Sequence, residues 1–331
     1  MSTLFVTGMQ RSGTTLLDRM LGLLSQPFPL LFVEAKRDFL RSIGRESRYP
    51  LGHLFLEDGY RQEDFDRHLA GLRIDRDRLE RIFEEMEGFS GQYTRFDRSS
   101  ILPLDPPTGF AELVAGLYRT LQAAGGKETL CEEFLPHLLD RGWQCVLILR
   151  DPRDVIASLN HGRGPEFGGR IKPTLFNIRN WRKSVAYALH LEGRPGFQWL
   201  RYEDLVADPR ALGFEPGEVR GWTGNSSHGE RTGVSAESVG AWRRVLPKPA
   251  ARFIEATCLP EMRLLGYPLE AAGDFDFEEP YEITRDGVES DLAGPANAEI
   301  EARRLELLPG PWAGRRWFLF ERAQDRLREA M

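Results

Sequence analysis

Leu4-Phe5-Val6-Thr7-Gly8-Met9-Gln10-Arg11-Ser12-Gly13-Thr14-Thr15-Leu16-Leu17 is the stretch on which the reading of this chain turns. A short apolar run ends at Gly8, and after Gly13 apolar residues recur at helical spacing, at Leu16, Leu17, Met20, Leu21 and Leu24. The order is strand, glycine turn, helix, with the Gly-x4-Gly spacing of a phosphate-binding loop. Backbone N–H groups of such a turn, added to the positive end of a helix, attract phosphate oxygens. The lysine that usually precedes the last Ser/Thr is Thr14 here. That lysine serves γ-phosphoryl chemistry, so its replacement points away from a nucleoside triphosphatase, and Arg11 supplies a cation inside the loop instead. Asp18 and Arg19 are expected on the helix surface.

Downstream, Leu30-Leu31-Phe32-Val33 lies between Pro27 and Pro29 on one side and Glu34-Ala35-Lys36-Arg37 on the other, and reads as a buried strand. Glu34 would stand at its C-terminal end, where α/β sheets bind ligands. Residues 36–96 are charged and helix-like, a helical insertion, in which 75–87 owes its charges to a solvated helix face. Residues 110–124 form an amphipathic helix with Gly125-Gly126 as its stop. Cys145-Val146-Leu147-Ile148-Leu149 reads as a central parallel strand, closed by Arg150-Asp151-Pro152. Asp151 as N-cap and Pro152 in the first turn start the next helix. A glycine-rich loop at 162–169, a long helix at 174–191, a strand at 197–202, a polar segment at 221–237 and a helix at 248–265 follow. Beyond Pro268 an acidic linker leads to a helical tail at 297–331. Strands separated by helices imply a parallel sheet.

Composition narrows the partners. Of 331 residues, 44 are Lys or Arg and 50 are Asp or Glu, a net charge of −6, which argues against nucleic acid as a partner of the whole surface. The longest apolar stretch, 16–33, is interrupted by Asp18, Arg19, Gln26 and two prolines and is no membrane span. No signal peptide precedes Leu4, and Cys131, Cys145 and Cys258 form no disulfide framework, so the expected compartment is the cytoplasm. His53, His68, His137, His190 and His228 have no ligand spacing, and no metal site is expected.

A second constellation is Arg150-Asp151-Pro152-Arg153-Asp154 with Ser158 and Asn160-His161. Arg150 and Ser158, about two helical turns apart, could hold a phosphate between guanidinium and hydroxyl. The competing reading is that Asp151 and Asp154 simply neutralise Arg150 and Arg153. For Trp181-Arg182-Lys183 the simpler reading is an amphipathic helix with solvated cations.

Together these segments resemble the sulfotransferases that use 3′-phosphoadenosine 5′-phosphosulfate (PAPS) as donor. The resemblance implies that Arg11, Ser12, Gly13, Thr14, Thr15 and Leu16 grip the 5′-phosphosulfate, and that Arg150 and Ser158, within Leu149–Ser158, bind the 3′-phosphate. Leu200-Arg201-Tyr202-Glu203-Asp204-Leu205 looks like the third family segment, whose tyrosine, here Tyr202, lies near the adenine. Ser238-Val239-Gly240-Ala241-Trp242 resembles the C-terminal Ser-x-Gly-x-Trp element. Departures from the cytosolic animal enzymes are equally plain. Leu16 replaces their tryptophan, Ser235-Ala236-Glu237 replaces their Arg-Lys-Gly cluster, and no histidine follows Lys127-Glu128-Thr129. Arg231 or Ser238 would have to compensate for that cluster.

Sulfuryl transfer needs an in-line acceptor, a base for its proton, and cations at the leaving phosphate. Arg11 suits the last role. By resemblance to tyrosylprotein and heparan-type enzymes the base is Glu34, whose simpler reading is an ion pair with Lys36 or Arg37. Glu132 and Glu133, otherwise capping or solvated, and His161 are the rivals. Lys127 is expected near the sulfonate. The expected architecture is a three-layer α/β, P-loop-like fold with a central parallel sheet of about five strands. Residues 1–267 would form the catalytic domain, with 36–96 over the acceptor cleft, and 268–331 a linker and helical extension. The expected function is sulfonate transfer from PAPS to a hydroxyl or amine of a small-molecule, carbohydrate or peptide acceptor, releasing PAP without a metal. A P-loop kinase or nucleotidase, and a nonenzymatic PAP or PAPS sensor, are the alternatives.

Overall fold

The computed structural model describes residues 2–46, 50–52, 61–87, 107–161, 174–210, 236–270 and 325–327, with the side chains of 160, 161, 174–176 and 249 left aside. The glycine-rich loop at 162–169, most of the polar segment at 221–237, His53, His228 and Arg231, and nearly all of the linker and tail after Glu270 lie outside the described residues.

The opening run forms β1 (Leu4–Thr7), the segment after Gly13 forms α1 (Thr14–Met20), and β2 (Leu24–Ser25) follows. The apolar run at 30–33 is then not a strand. It is the first turn of α2 (Pro29–Ser42), and the second strand is β2 just before it. Four apolar residues in a row do not separate strand from helix. Pro29 at the start of the segment favours helix, because its missing N–H costs nothing there. Leu31, Phe32, Ala35, Phe39 and Leu40 then make one buried stripe.

Two helices, α3 (Gln62–Gly71) and α4 (Arg76–Glu87), flank β3 (Arg73–Ile74), which pairs antiparallel with β4 (Thr108–Gly109). Leu79, Ile82 and Phe83 bury one face of α4 while its charges face water. Helix α5 (Phe110–Thr120) ends earlier than expected, and Gly125-Gly126 is not its stop but most of β5 (Gly125–Lys127). These glycines are there for proximity: a Cβ on Gly125 would lie 1.7 Å from the Leu4 carbonyl oxygen, and one on Gly126 2.7 Å from the Tyr118 hydroxyl.

After a short 3-10 turn at Glu132–Phe134 come α6 (Leu135–Leu139), β6 (Gln144–Leu149), α7 (Pro152–His161), α8 (Thr174–Leu191), β7 (Phe197–Arg201) and α9 (Tyr202–Ala207). A 3-10 turn at Ala236–Ser238, α10 (Trp242–Val245) and α11 (Lys248–Leu264) complete the described order. The main sheet has the order β2-β5-β1-β6-β7 with every pair parallel. Residues of β1 and β6 alternate between two buried faces. Phe5, Cys145, Leu147 and Leu149 join an aromatic core with Phe32, Phe110, Phe134 and Trp143, and Val6, Val146 and Ile148 join Leu16, Leu17, Leu200 and Leu205. Both faces being covered gives the three layers and explains the unbroken apolar text of β6. The chain leaves β1 toward one side of the sheet and β6 toward the other, so a crevice opens at their C-terminal ends. None of the described helices is long and apolar enough to cross a membrane.

Candidate functional site

Two loops meet at that crevice. Between β1 and α1 the chain turns with Arg11 at φ 68° and Gly13 at φ 96°, the left-handed region. The Ser12 N–H closes the turn on the Met9 carbonyl at 3.1 Å. No side chain caps the start of α1 and no acidic residue occupies its first turn. The Ser12 hydroxyl is buried without a hydrogen-bond partner. A turn of unshared donors at a positive helix end is suited to an anion. Gly13 lies directly against Tyr202, whose ring would stand 2.3 Å from a Cβ at that position.

The second loop follows β6. Asp151 caps α7 as expected, accepting from the Arg153 N–H at 2.9 Å. Arg153 points away from the crevice: it is fully buried, paired with Asp151 at 2.6 Å and with Glu255, and stacked 4.2 Å over the Trp242 ring. Asp154 takes the backbone N–H groups of Gly240 (2.7 Å) and Trp242 (2.9 Å), and lies 3.9 Å from Arg150. The mutual-neutralisation reading therefore describes Arg153 well and Arg150 poorly. Burial raises the Asp154 carboxyl above its ordinary value against the pull of Arg150 and those N–H groups.

Arg150 instead reaches into the crevice. Its guanidinium donates to the Arg11 carbonyl at 3.0 Å and the Ser238 carbonyl at 2.6 Å, and lies 4.6 Å over the Tyr202 ring. Its Nε is buried without a partner. The Tyr202 and Ser238 hydroxyls share a hydrogen bond at 2.7 Å. One arginine thus ties together three segments singled out in the sequence: the phosphate loop, the start of α9 and the Ser238 turn. Ser158 lies two turns along α7, half-buried. His161 is the last residue of α7 rather than a loop residue, and its side chain is not described.

Around the other end of the loop, several expectations are overturned. Asp18 is not on the surface but fully buried, 3.6 Å from the Lys127 ammonium. Lys127 is itself buried at the end of β5, and its Nζ lies 3.4 Å from the Thr15 hydroxyl. Glu132 and Glu133 are neither capping nor solvated. Glu133 pairs with Lys36 at 2.5 Å, and Glu132 with Lys183 at 3.1 Å and with the Ser184 hydroxyl. Arg182 and Lys183 are not solvated cations either, since Arg182 is buried against Glu261. Sequence spacing shows which face of a helix a charge occupies, not whether a counter-ion from a distant segment awaits it.

Glu34 sits on the second turn of α2, partly exposed, in an ion pair with Arg37. Two further carboxylates, the buried Glu128 and the half-buried Glu203, adjoin Lys127 and Tyr202 in the chain. Glu128 accepts from the Phe28 N–H at 2.8 Å, and burial pushes its carboxyl up to about 8. Glu203 accepts from the Asp151 N–H at 2.9 Å, and burial raises it to about 7. Among the described residues no group of three or more His, Cys, Asp or Glu side chains could hold a metal ion.

Comparison with known proteins finds a family match at the N-terminal end of the chain. Residues 3–100 match the family model of the sulfotransferase family. A 26% identity over 160 residues relates the chain to carbohydrate sulfotransferase 3 of Tetronarce californica, covering 38% of this chain and 36% of that protein, so the chain spans about a third of that relative. Among solved structures, the sulfotransferase domain from the curacin biosynthetic pathway is similar with a TM-score of 0.45 and 18% identity over 81% of this chain and 99% of that one. Retinol dehydratase in complex with androsterone and inactive cofactor PAP gives a TM-score of 0.39 and 16% identity over 81% and 82%. The residues matched by that family model, 3–100, are those that carry β1, the phosphate loop and α1 to α4.

Proposed function

We propose that the protein transfers the sulfonate of PAPS to a hydroxyl or amine acceptor and releases PAP. The observation that carries this reading is Arg150, the cation that joins the phosphate loop to the Tyr202 and Ser238 segments at the C-terminal edge of the sheet. The residues fit such a donor. The buried, unpartnered Ser12 hydroxyl and Arg150 Nε, and the uncapped start of α1, are polar groups awaiting an anionic ligand. Ser12, Gly13, Thr14, Thr15 and Leu16 would hold the 5′-phosphosulfate, Arg150 and Ser158 the 3′-phosphate, and Tyr202 with Ser238 the nucleoside side.

In the reaction the acceptor oxygen or nitrogen bonds to sulfur while the bond from sulfur to the bridging phosphate oxygen breaks. Arg11 offsets the charge that collects on the departing phosphate. Glu34 takes the acceptor's proton. Among the carboxylates considered for that task, Glu132 and Glu133 are fully buried in ion pairs, whereas Glu34 is reachable from solvent. Residues 1–267 would form the catalytic domain with 36–96 facing the acceptor, and 268–331 an extension. The acceptor is a small molecule, a sugar or a peptide side chain. A kinase or nucleotidase is disfavoured by Thr14, and turnover on an acceptor separates the transferase from a sensor.

The test is acceptor-dependent PAP release from PAPS, screened over phenols, alcohols, amines, sugars and tyrosyl peptides. Turnover that falls at least about a hundredfold in Glu34→Gln, with PAP affinity unchanged, is the expected result. PAP binding without turnover on any acceptor would favour the sensor instead.

A further inference from the structure

The phosphate loop lacks the lysine usual at position 14, yet a lysine lies beneath it. Lys127 is 1% exposed, with Nζ 3.4 Å from the Thr15 hydroxyl and 3.6 Å from Asp18. Asp18 is 0% exposed with Lys127, Ser25 and Arg19 as its polar neighbours among the described residues, and burial raises its carboxyl above the ordinary value against the pull of Lys127. A buried carboxylate is costly to keep, and a helix facing an apolar core has no structural need for one. Leu16 and Leu17 beside it are ordinary core residues.

Resting on the donor-site reading above, we infer that Asp18 is a positioning residue: it holds Lys127 charged beneath Thr15, so that a buried ammonium supplies from below the positive potential that Thr14 does not supply from within the loop. Lys127 touches the loop through Thr15 and is shielded from solvent, so its field reaches a bound anion through a poorly screened interior. The groups facing the pair are Arg19 on α1, Ser25 on β2 and Glu128 after β5, and Tyr118 and Cys131 face Glu128 in turn. Burial pulls the Lys127 ammonium below the ordinary amine range, while Asp18 first and Glu128 second hold it up. Removing the Asp18 charge therefore lets Lys127 lose its proton at lower pH.

The sign of the effect separates this role from a merely structural one. In Asp18→Asn a negative charge near the anion is gone, so PAP binds as well as in wild type or better at low pH. As pH rises the variant loses its affinity about one unit or more before wild type does, a tenfold or larger deficit in the window between. Lys127→Met binds PAP weakly and lacks the step that residue 18 moves. The experiment is calorimetric titration of the full chain with PAP from about pH 6 to 9.5, alongside NMR titration of the Lys127 side chain without ligand, assigned by its loss in Lys127→Met. The Lys127 titration should move down in Asp18→Asn and recover in Asp18→Glu. Equal weakening of PAP at every pH, or a Lys127 titration unmoved by Asp18→Asn, overturns the inference. Should Asp18→Asn fail to fold, Asp18→Glu and wild type carry the test: a Lys127 titration that drops in Asp18→Glu, or that does not move up on adding PAP, counts against it. Wild type that binds no PAP while its Lys127 titration still answers to residue 18 would sink the donor reading and leave the Asp18–Lys127 coupling standing.

Discussion

Gly13→Ala should damage both stability and ligand binding, and the size of the damage follows from two separable terms. The backbone there has φ 96°, where an L-residue with a Cβ costs about 1–2 kcal/mol. The added methyl would stand 2.3 Å from Tyr202 Cδ2, 2.9 Å from Cε2 and 3.3 Å from Ile148 Cδ1. Carbon atoms prefer separations of about 3.5–4.0 Å, so the Tyr202 ring must move by more than an ångström or the loop must lift. Overpacking of that kind costs a further ~1–3 kcal/mol. Tyr202 cannot retreat freely, because its hydroxyl is bonded to Ser238 and its ring lies under Arg150. The control is Gly22→Ala, where φ is 64° and nothing lies within 4 Å of the added carbon, so that only the backbone term remains. Urea unfolding followed by circular dichroism should place Gly13→Ala about 1–3 kcal/mol below Gly22→Ala. PAP affinity should fall with it, because the ring carries Arg150 and Ser238. Equal stability of the two variants would refute the claim that Tyr202 braces the phosphate loop.

Two further outcomes are expected. Lys36→Met leaves Glu133 charged and unpaired in the core and should cost about 3–5 kcal/mol in urea unfolding, whereas Lys36→Met/Glu133→Leu should recover most of it; equal losses in the single and double variants would show the pair to be unimportant. Glu203 is raised from 4.5 to about 7, so the folded state holds a proton there that the unfolded state has released, and its contribution is present below about pH 4.5 and lost as pH rises to about 7. Wild type should therefore lose up to about 3 kcal/mol relative to Glu203→Gln across that window, read from unfolding curves at each pH, and parallel curves would show that Glu203 does not titrate there.

The parts of the site that could be read from the sequence are those in which the chemistry is local. Gly8, Gly13 and the apolar spacing after them announce a strand, a turn and a helix, and Asp151-Pro152 announces the start of α7. The run at 30–33 was ambiguous because four apolar residues satisfy either period, and Pro29 was the decisive sign of a helix. What stayed hidden were charges whose partners come from far along the chain. Glu133 meets Lys36 across 97 positions, and Asp18 on α1 meets Lys127 at the end of β5. Asp18 follows the buried Thr14 by one helical turn and lies beside the Leu16 and Leu17 arc rather than within it, so helical spacing alone does not reveal its burial. The same holds for Asp154, whose role as a clamp on Gly240 and Trp242 depends on a turn more than eighty residues away.

The most direct test of the donor site is calorimetric binding of PAP and of ATP, each with and without Mg²⁺, to wild type and to Arg150→Ala. A buried guanidinium that meets a phosphate contributes a charge-assisted hydrogen bond of roughly 1.5–3 kcal/mol. PAP should bind independently of Mg²⁺ and weaken by about ten- to a hundredfold or more in Arg150→Ala. Preference for ATP with Mg²⁺, or PAP affinity indifferent to Arg150→Ala, would contradict the donor-site reading.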